Sequence, residues 1–234
     1  MHKIDDQLAK VTARIHQAAT AAGRNPQTVQ LIAVSKTQAA QALANAYAWG
    51  QRAFGENYLQ EALDKQVQLA DLKDIEWHFI GPIQSNKTRP IAAHFSWVHS
   101  VDRLKIAQRL SEQRPAELPP LNICVQVNID DETTKSGVSL AELPVLVAAI
   151  SQLPRLRLRG LMAIPAATNN PAQQRAAFAK LHSALESLNG QGYGLDCLSM
   201  GMSGDMEAAI AEGATFVRVG TDIFGARPKA SAEQ

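Results

Sequence analysis

Short apolar runs alternate with helical patterns along this sequence, and this alternation restricts the possible folds more than any other feature. Parallel strands joined by helices produce such a pattern, because each crossover must return the chain to the same edge of the sheet. The runs recur eight times within 234 residues, which predicts an α/β protein folded as a single (β/α)8 barrel. The predicted strands cover residues 31–36, 52–57, 77–81, 97–101, 122–128, 158–164, 197–201 and 216–220.

Helical patterns lie between these strands, and one more precedes the first strand. Residues 4–22 carry a single apolar stripe that Gly23 ends, and we expect this extra N-terminal helix to cover an open end of the fold. Ser85 is placed to cap the helix that follows the third strand. The remaining long helices are predicted at 38–49, 58–72, 102–113, 140–153 and 171–188, the last with Phe178, Leu181, Leu185 and Leu188 on its apolar face.

The sequence predicts one domain over residues 1–234, with the N-terminal helix at 1–23 and a polar tail at 228–234. The proline-rich connection 114–120 is too short to mark a boundary between domains. An open, doubly wound sheet is the alternative architecture. That fold usually carries a glycine-rich turn after its first strand, where this sequence has Ser35-Lys36-Thr37.

The composition argues against several classes of function. The 23 basic and 22 acidic residues give a net charge of +1, which offers no excess charge for nucleic acid or an acidic membrane surface. No apolar stretch is long enough to span a bilayer, and no signal-peptide pattern is present. Cys124 and Cys197 lie within apolar runs, as small core residues in a reducing compartment do. We therefore expect a cytoplasmic protein.

Lys36 is the most informative single residue. It ends the strand Leu31-Ile32-Ala33-Val34-Ser35, whose apolar character indicates burial on both faces. Burial disfavours the charged form of lysine and lowers its pKa, which makes the amine a nucleophile toward aldehydes and ketones. Lys36 is therefore a candidate Schiff-base lysine. The alternative is an ordinary lysine whose stem leaves the end of a strand toward water.

Two glycine-containing turns follow the last two strands, Gly201-Met202-Ser203-Gly204 and Gly220-Thr221. Barrels often bind phosphate on the loops after strands seven and eight. Either turn alone could be a tight connection, but both share the predicted active face with Lys36. Together they predict a ligand that carries a carbonyl group and a phosphate. Arg218 lies two residues before Gly220, so it faces the same side of its strand; it points either inward to the ligand or outward to a helix carboxylate.

Several motifs of the sequence, in this order and over nearly its whole length, resemble those of one family, the pyridoxal phosphate homeostasis proteins (YggS/PROSC). The motifs are Ala33-Val34-Ser35-Lys36-Thr37, Phe54-Gly55-Glu56-Asn57-Tyr58, His78-Phe79-Ile80-Gly81-Pro82-Ile83-Gln84-Ser85-Asn86-Lys87, Lys135-Ser136-Gly137, Gly160-Leu161-Met162, Leu198-Ser199-Met200-Gly201-Met202-Ser203 and Val217-Arg218-Val219-Gly220. The residues after Arg227 carry no family signal.

The resemblance implies a monomeric barrel like the N-terminal domain of alanine racemase, with pyridoxal 5′-phosphate bound covalently to Lys36. By the same resemblance, Ser203, Gly220 and Thr221 hold the phosphate, Arg218 faces the pyridine nitrogen and Asn57 lies beside the ring. Family members are thought to bind, buffer and deliver the cofactor, in contact with apoenzymes that need it. Their loss disturbs vitamin B6 and amino-acid balance. The implied function is cofactor homeostasis without strong catalytic activity.

Two enzymatic alternatives remain open. A racemase- or lyase-like enzyme acting on a small amino acid would need a second base and a domain that closes the site. Only 14 residues follow Gly220, and Tyr58 is the candidate second acid/base. An arginine at the ring nitrogen also weakens the electron sink, because arginine keeps its proton, but alanine racemase shares this arginine and is active, so this residue alone does not decide. The second alternative is a cofactor-free aldolase, which would need a carboxylate such as Glu56 near Lys36.

Two further groups of residues have less specific interpretations. Lys135, in the loop after the fifth strand, is either a mobile cationic lid over the phosphate or a solvated loop residue. His78, His94 and His99 lack metal-ligand spacing, which favours structural roles and predicts no metal site.

Overall fold

The computed structural model describes residues 3–130 and 135–225 of the chain, so the predicted polar tail at 228–234 lies outside the described residues. Within these ranges, eight parallel strands close into a barrel, because the first strand pairs with the last and the fourth pairs with the fifth. The predicted (β/α)8 barrel is confirmed. The strands are β1 (Gln30–Val34), β2 (Ala53–Glu56), β3 (Glu76–Phe79), β4 (Trp97–Val101), β5 (Leu121–Asn128), β7 (Leu156–Met162), β8 (Cys197–Ser199) and β9 (Phe216–Val219), with a two-residue strand β6 (Val138–Ser139) beside β5.

Helices form an outer layer around the barrel. They are α1 (Lys3–Ala21), α2 (Ala40–Trp49), α3 (Leu59–Gln68), α4 (Thr88–His94), α5 (Leu104–Gln113), α6 (Leu143–Ser151), α7 (Pro171–Gly190), α8 (Met206–Ala211) and α9 (Thr221–Phe224). The face predicted for the long helix α7 is the face it buries. Asn170 begins α7, since its side chain accepts hydrogen bonds from the backbone of Ala172 and Gln173. None of the helices in the described ranges is long and apolar enough to cross a membrane.

The N-terminal helix α1 has a different position from the expected one. Its buried stripe of Leu8, Val11, Ile15 and Ala19 packs against α8 and α9 on one side and α2 on the other. The helix after the last barrel strand, α9, has only four residues. Helix α1 therefore fills the gap in the outer layer that a full-length eighth helix would occupy, instead of covering an open end.

Two local expectations are wrong, and one short strand was not predicted. The first strand ends at Val34, so Lys36 lies in the turn beyond it. Ser85 caps no helix with its side chain; its carbonyl oxygen accepts hydrogen bonds from the side chains of Thr88 and Arg109. Strand β6 was not predicted, because two residues are too few to show a period.

Alternating residues of the strands build two cores. Large apolar side chains such as Phe54 and Val98 face the helices. A smaller cluster fills the barrel interior, with one residue from each of seven strands: Ile32, Ala53, Trp97, Cys124, Met162, Cys197 and Phe216. Both cysteines are buried free thiols with their Sγ atoms 3.6 Å apart, and burial raises the pKa of the Cys124 thiol. This arrangement confirms their expected place in the core.

Candidate functional site

A cavity of about 290 Å³ opens at the carboxyl ends of the barrel strands. Its size lies near the lower end of the range of roughly 300–1,000 Å³ that is usual for small-molecule sites. All six residues predicted to bind the cofactor line it: Lys36, Asn57, Ser203, Arg218, Gly220 and Thr221. Of the other lining residues, Met202 and Gly204 belong to the predicted turn Gly201-Met202-Ser203-Gly204, whereas sequence reasoning missed Val34, Ile80 and Ile164. Val34, Ile80 and Ile164 continue the inward alternation of their strands, which is the signal that could have found them.

The turn that carries Lys36 is held on both sides by hydrogen bonds. Thr37 has a φ of 65°, a left-handed conformation that is costly for a β-branched residue. Its backbone N–H donates to the Glu61 carboxylate of α3 at 2.6 Å. On the other side, Lys65 of the same helix donates to the Ser35 carbonyl oxygen at 2.7 Å. These bonds fix the backbone around Lys36, whose side chain reaches the cavity.

Glu56 does not belong to the cavity. Asn57 faces the cavity, so the preceding residue of the alternating strand points outward, toward α3. There the Glu56 carboxylate accepts hydrogen bonds from Lys65, at 2.7 Å, and from the Ser35 hydroxyl, at 2.6 Å. Burial raises the pKa of Glu56, although Lys65 opposes the shift. The carboxylate partner that a cofactor-free aldolase would need is therefore not provided by Glu56.

Asn57 carries an unsatisfied acceptor. Its Oδ1 atom is buried and has no hydrogen-bond partner among residues 3–130 and 135–225. A buried polar atom without a partner costs about 1–3 kcal/mol, so such atoms in native structures call for an explanation. A ligand with a hydroxyl or another donor group in the cavity would remove this cost.

The turn after β8 approaches the cavity with its backbone. Gly201 has a φ of 95°, and a side chain there would bring a Cβ atom to 2.6 Å from the Cβ of Ala209, so only glycine fits. Asp205 closes the turn by accepting a hydrogen bond from the backbone N–H of Met202 at 2.6 Å. Burial raises the pKa of Asp205. This geometry presents the Ser203 hydroxyl to the same cavity as Thr221, the first residue of α9.

Arg14 of α1 ties the two turns together, and sequence reasoning missed it. Its guanidinium donates to the Ser203 carbonyl oxygen at 2.9 Å and to the carboxylate of Asp222 at 2.7 Å. A third contact, at 2.9 Å, joins it to Glu207 of α8. These partners lie about 190 to 210 residues away in the sequence, so no local pattern could have revealed them. Helix α1 thus supports the site as well as the outer layer.

Arg218 points inward and is almost fully buried. It donates to the Ser199 hydroxyl at 2.7 Å and to the Ala163 carbonyl oxygen at 3.0 Å. Burial lowers its pKa to about 10, which still leaves the guanidinium charged at neutral pH. Of the two orientations that the sequence left open, the structure has the inward one, and the cavity has a fixed cation in its wall.

Tyr58 and Lys135 lie outside the set of residues that line the cavity. Tyr58 follows Asn57 but is 53% exposed. Lys135 pairs with Asp130 at 2.6 Å, and Asp130 also accepts a hydrogen bond from the backbone of Ala166. The structure therefore does not bring the candidate second acid/base or the candidate lid lysine to the cavity. In the described ranges, no three histidine, cysteine, aspartate or glutamate side chains form a group that could hold a metal ion.

The donor set of the cavity fits a phosphorylated aldehyde. It combines one amine, two hydroxyl groups, turn backbone and a guanidinium around a space with an unsatisfied acceptor. The amine can condense with an aldehyde, and hydroxyl and backbone N–H groups bind phosphate oxygens. The guanidinium offers hydrogen-bond donors to a ring nitrogen.

The barrel belongs to the class of alanine racemase-like domains. The family described as "Alanine racemase, N-terminal domain" matches residues 7–228. The alanine racemase of Corynebacterium glutamicum is 21% identical, with a TM-score of 0.68 over 97% of this chain and 63% of that chain. At this identity the likeness concerns the fold alone.

Closer relatives identify the family within this class. A pyridoxal phosphate homeostasis protein of Pseudomonas aeruginosa is 66% identical over 227 residues, which cover 97% of each sequence. PipY of Synechococcus elongatus PCC7942, in a structure with PLP bound, is 40% identical and has a TM-score of 0.83, over 95% of this chain and 100% of that chain. The chain belongs to the pyridoxal phosphate homeostasis protein family, as its motifs predicted.

Proposed function

We propose that this protein binds pyridoxal 5′-phosphate on Lys36 and takes part in the intracellular homeostasis of vitamin B6 and amino acids, without strong catalytic activity. One observation supports the proposal above all: Lys36, Arg218 and the two turns line one cavity, in a chain 66% identical to a pyridoxal phosphate homeostasis protein. PipY, 40% identical, has a structure with PLP bound. We further propose that the protein acts as a cytoplasmic monomer of one domain.

Each of the six predicted site residues has a part in this proposal. The Lys36 amine condenses with the aldehyde to form a C=N bond and releases one water molecule. Ser203, Thr221 and the backbone of Gly220 bind the phosphate. Asn57 lies beside the ring, where its Oδ1 atom gains a partner. When bound, the cofactor supplies an electrophilic carbon and an electron-withdrawing ring.

Arg218 limits that electron withdrawal. It donates a hydrogen bond to the ring nitrogen and leaves this atom without a proton, because arginine keeps its own. A ring that lacks this proton stabilises a carbanion poorly. A weak electron sink suits a protein that stores the cofactor better than one that transforms amino acids.

The rim of the cavity suits transfer of the ligand. Ile164 is 41% exposed and Met202 is 40% exposed, and both line the opening. Contiguous exposed apolar surface often marks a protein interaction site. We propose that an apoenzyme that requires the cofactor contacts this rim transiently.

Spectroscopy of the purified protein tests the function. After loading with pyridoxal phosphate, we expect a visible absorption band that is unchanged by L-alanine and decreases when a recipient apoenzyme is added. The recipient should gain activity as the band decreases. A band that shifts with L-alanine, together with turnover of the amino acid, would instead show an enzyme. Absence of any band would contradict cofactor binding and favour the alternative of a cofactor-free aldolase.

Replacement of Arg14 tests how the phosphate turns are supported. We expect Arg14→Ala to weaken pyridoxal phosphate binding roughly threefold to tenfold. The substitution removes the partly exposed ion pairs that anchor the two turns, and these pairs are worth about 1 kcal/mol. Equilibrium titration followed by absorbance measures the effect. Arg175→Ala is the matched control, because it removes a surface ion pair with Glu212 that contacts neither turn. Equal affinities of the two variants would contradict this role of Arg14.

A further inference from the structure

Four polar residues connect one end of the barrel interior with Arg218 at the other. Glu76 Oε1 lies 2.8 Å from His78 Nε2, and His78 Nδ1 lies 2.9 Å from His99 Nε2. His99 Nδ1 is 2.8 Å from Ser199 Oγ, the atom that accepts the hydrogen bond from Arg218. We call Glu76, His78, His99 and Ser199 the interior network. The Glu76 side chain is 39% exposed, whereas His78, His99 and Ser199 are fully buried.

The positions of the hydrogen atoms in the interior network follow from the groups at its two ends, the Glu76 carboxylate and the Arg218 guanidinium. The Glu76 carboxylate can only accept, so His78 donates from Nε2 and accepts at Nδ1. His99 must then donate from Nε2 and accept at Nδ1. The Ser199 hydroxyl donates to His99, which leaves its lone pairs for the Arg218 guanidinium. Every hydrogen bond therefore points from the arginine toward the carboxylate.

The surroundings of both imidazole rings favour their neutral form and pack against them. Burial lowers the pKa of His78 and holds the pKa of His99 well below its usual value. The hydrogen bond from His78 lowers the pKa of Glu76, which favours the carboxylate. Trp97 and Phe216 pack against both imidazoles at centroid distances of 5.5–5.7 Å. Both nitrogens of each imidazole are hydrogen-bonded within the interior network, so a flip of either ring would break two hydrogen bonds, which favours one arrangement of hydrogen atoms.

This arrangement matters because Arg218 has only neutral acceptors. Among the described residues, it is hydrogen-bonded to the Ser199 hydroxyl and the Ala163 carbonyl oxygen but to no carboxylate. A hydroxyl group rotates freely unless its proton has a fixed acceptor. His99 supplies that acceptor, and His78 and Glu76 determine that His99 accepts at the required nitrogen.

We propose that the four residues of the interior network are positioning residues for Arg218. By fixing the direction of each hydrogen bond, they hold the guanidinium in one orientation toward the cavity. This inference rests on the proposed function for its effect on the ligand, since Arg218 then faces the ring of pyridoxal phosphate. A purely structural role would require only that the buried side chains fill space.

Nuclear magnetic resonance of the full-length protein with 15N-labelled histidine tests the network without the cofactor. We expect both His78 and His99 to be neutral with the proton on Nε2. In Ser199→Ala, the Nδ1 resonance of His99 should shift because it loses its donor, while the partly exposed His182 stays unchanged. A charged His99, or a proton on its Nδ1 atom, would overturn the inference.

Ligand binding provides the second readout. We expect Ser199→Ala to raise the dissociation constant for pyridoxal phosphate about tenfold, the usual weight of a hydrogen bond to a charged group. The absorption band of the bound cofactor should shift as well. Ser111→Ala is the matched control, because Ser111 is an equally buried serine that donates to the Pro154 carbonyl oxygen, away from the cavity. It should leave both the affinity and the band unchanged.

A second variant separates positioning from stability. His99→Asn leaves an acceptor near the position of Nδ1 but removes the imidazole and its contact with His78. We expect it to lower the unfolding temperature more than Ser199→Ala does, because a core ring is lost. Its effect on affinity should nevertheless be smaller, about threefold, since Ser199 retains a partner. Affinity losses that follow the stability losses would overturn the inference.

The two proposals can fail separately. If the wild-type protein takes up no pyridoxal phosphate, the proposed function is wrong, and the histidine resonances of the unloaded protein still decide the interior network. If the wild-type protein binds the cofactor while Ser199→Ala and Ser111→Ala bind it equally well, the positioning role alone is wrong.

Discussion

Lys36→Ala is expected to abolish covalent binding of pyridoxal phosphate while leaving the fold unchanged. Among the described residues that line the cavity, Lys36 alone carries an amine that can form a C=N bond. It lies in a turn beyond β1 and is partly exposed, so its removal costs little core packing. Absorption spectra after loading measure the covalent cofactor, and circular dichroism with thermal unfolding measures the fold.

Two further variants sharpen this prediction. Lys36→Arg keeps the positive charge but cannot condense with an aldehyde, so it should also lack the covalent cofactor. Lys87→Ala removes an exposed lysine near the same end of the barrel and should load like the wild-type protein. A covalent band in Lys36→Ala would show that another lysine carries the cofactor and would contradict the proposed function.

Gly160→Ala is expected to cause the largest loss of stability among the glycine-to-alanine substitutions in this chain. The added Cβ atom would lie 1.8 Å from the Cys197 carbonyl oxygen and 2.6 Å from its carbonyl carbon. Gly160 of β7 is paired with Cys197 of β8, so the clash can be relieved only by separating two strands of a closed barrel. Overpacking of a core already costs about 1–3 kcal/mol. We expect a loss of about 4 kcal/mol or more in the free energy of unfolding, or an insoluble protein.

Gly190→Ala is the control for this substitution. Gly190 is the last residue of α7 and is exposed, and a methyl group added there would have no described atom of another part of the chain within 4 Å. Alanine there should leave the free energy of unfolding unchanged or raise it by up to about 1 kcal/mol, because glycine is a poor helix former. Chemical denaturation measures both variants. Equal unfolding free energies for the two would contradict the close approach of β7 and β8.

The architecture could be predicted because buried parallel strands and amphipathic helices leave regular patterns in the sequence. The fourth strand, Trp97–Val101, has the predicted bounds, and the face predicted for α7 is the buried one. The six candidate site residues also share one cavity, since the carboxyl ends of barrel strands meet on one face. Their individual roles stay predictions.

Other features depend on how distant segments meet. Arg14 reaches Ser203 and Asp222 only because α1 completes the outer layer. The outward direction of Glu56 follows from strand alternation once Asn57 is known to face inward, but the sequence did not establish which residue faced which side. His78 and His99 were expected to be structural; their connection to Arg218 exists only after the barrel closes.

Borohydride reduction of the loaded protein, followed by peptide mass mapping, tests the central claim most directly. Reduction converts the C=N bond into a stable amine and thereby marks the lysine that carries the cofactor. Our account predicts one reduced pyridoxyl phosphate group, on the peptide that contains Lys36. A group on another lysine, or no modification of a protein that contains the cofactor, would contradict it.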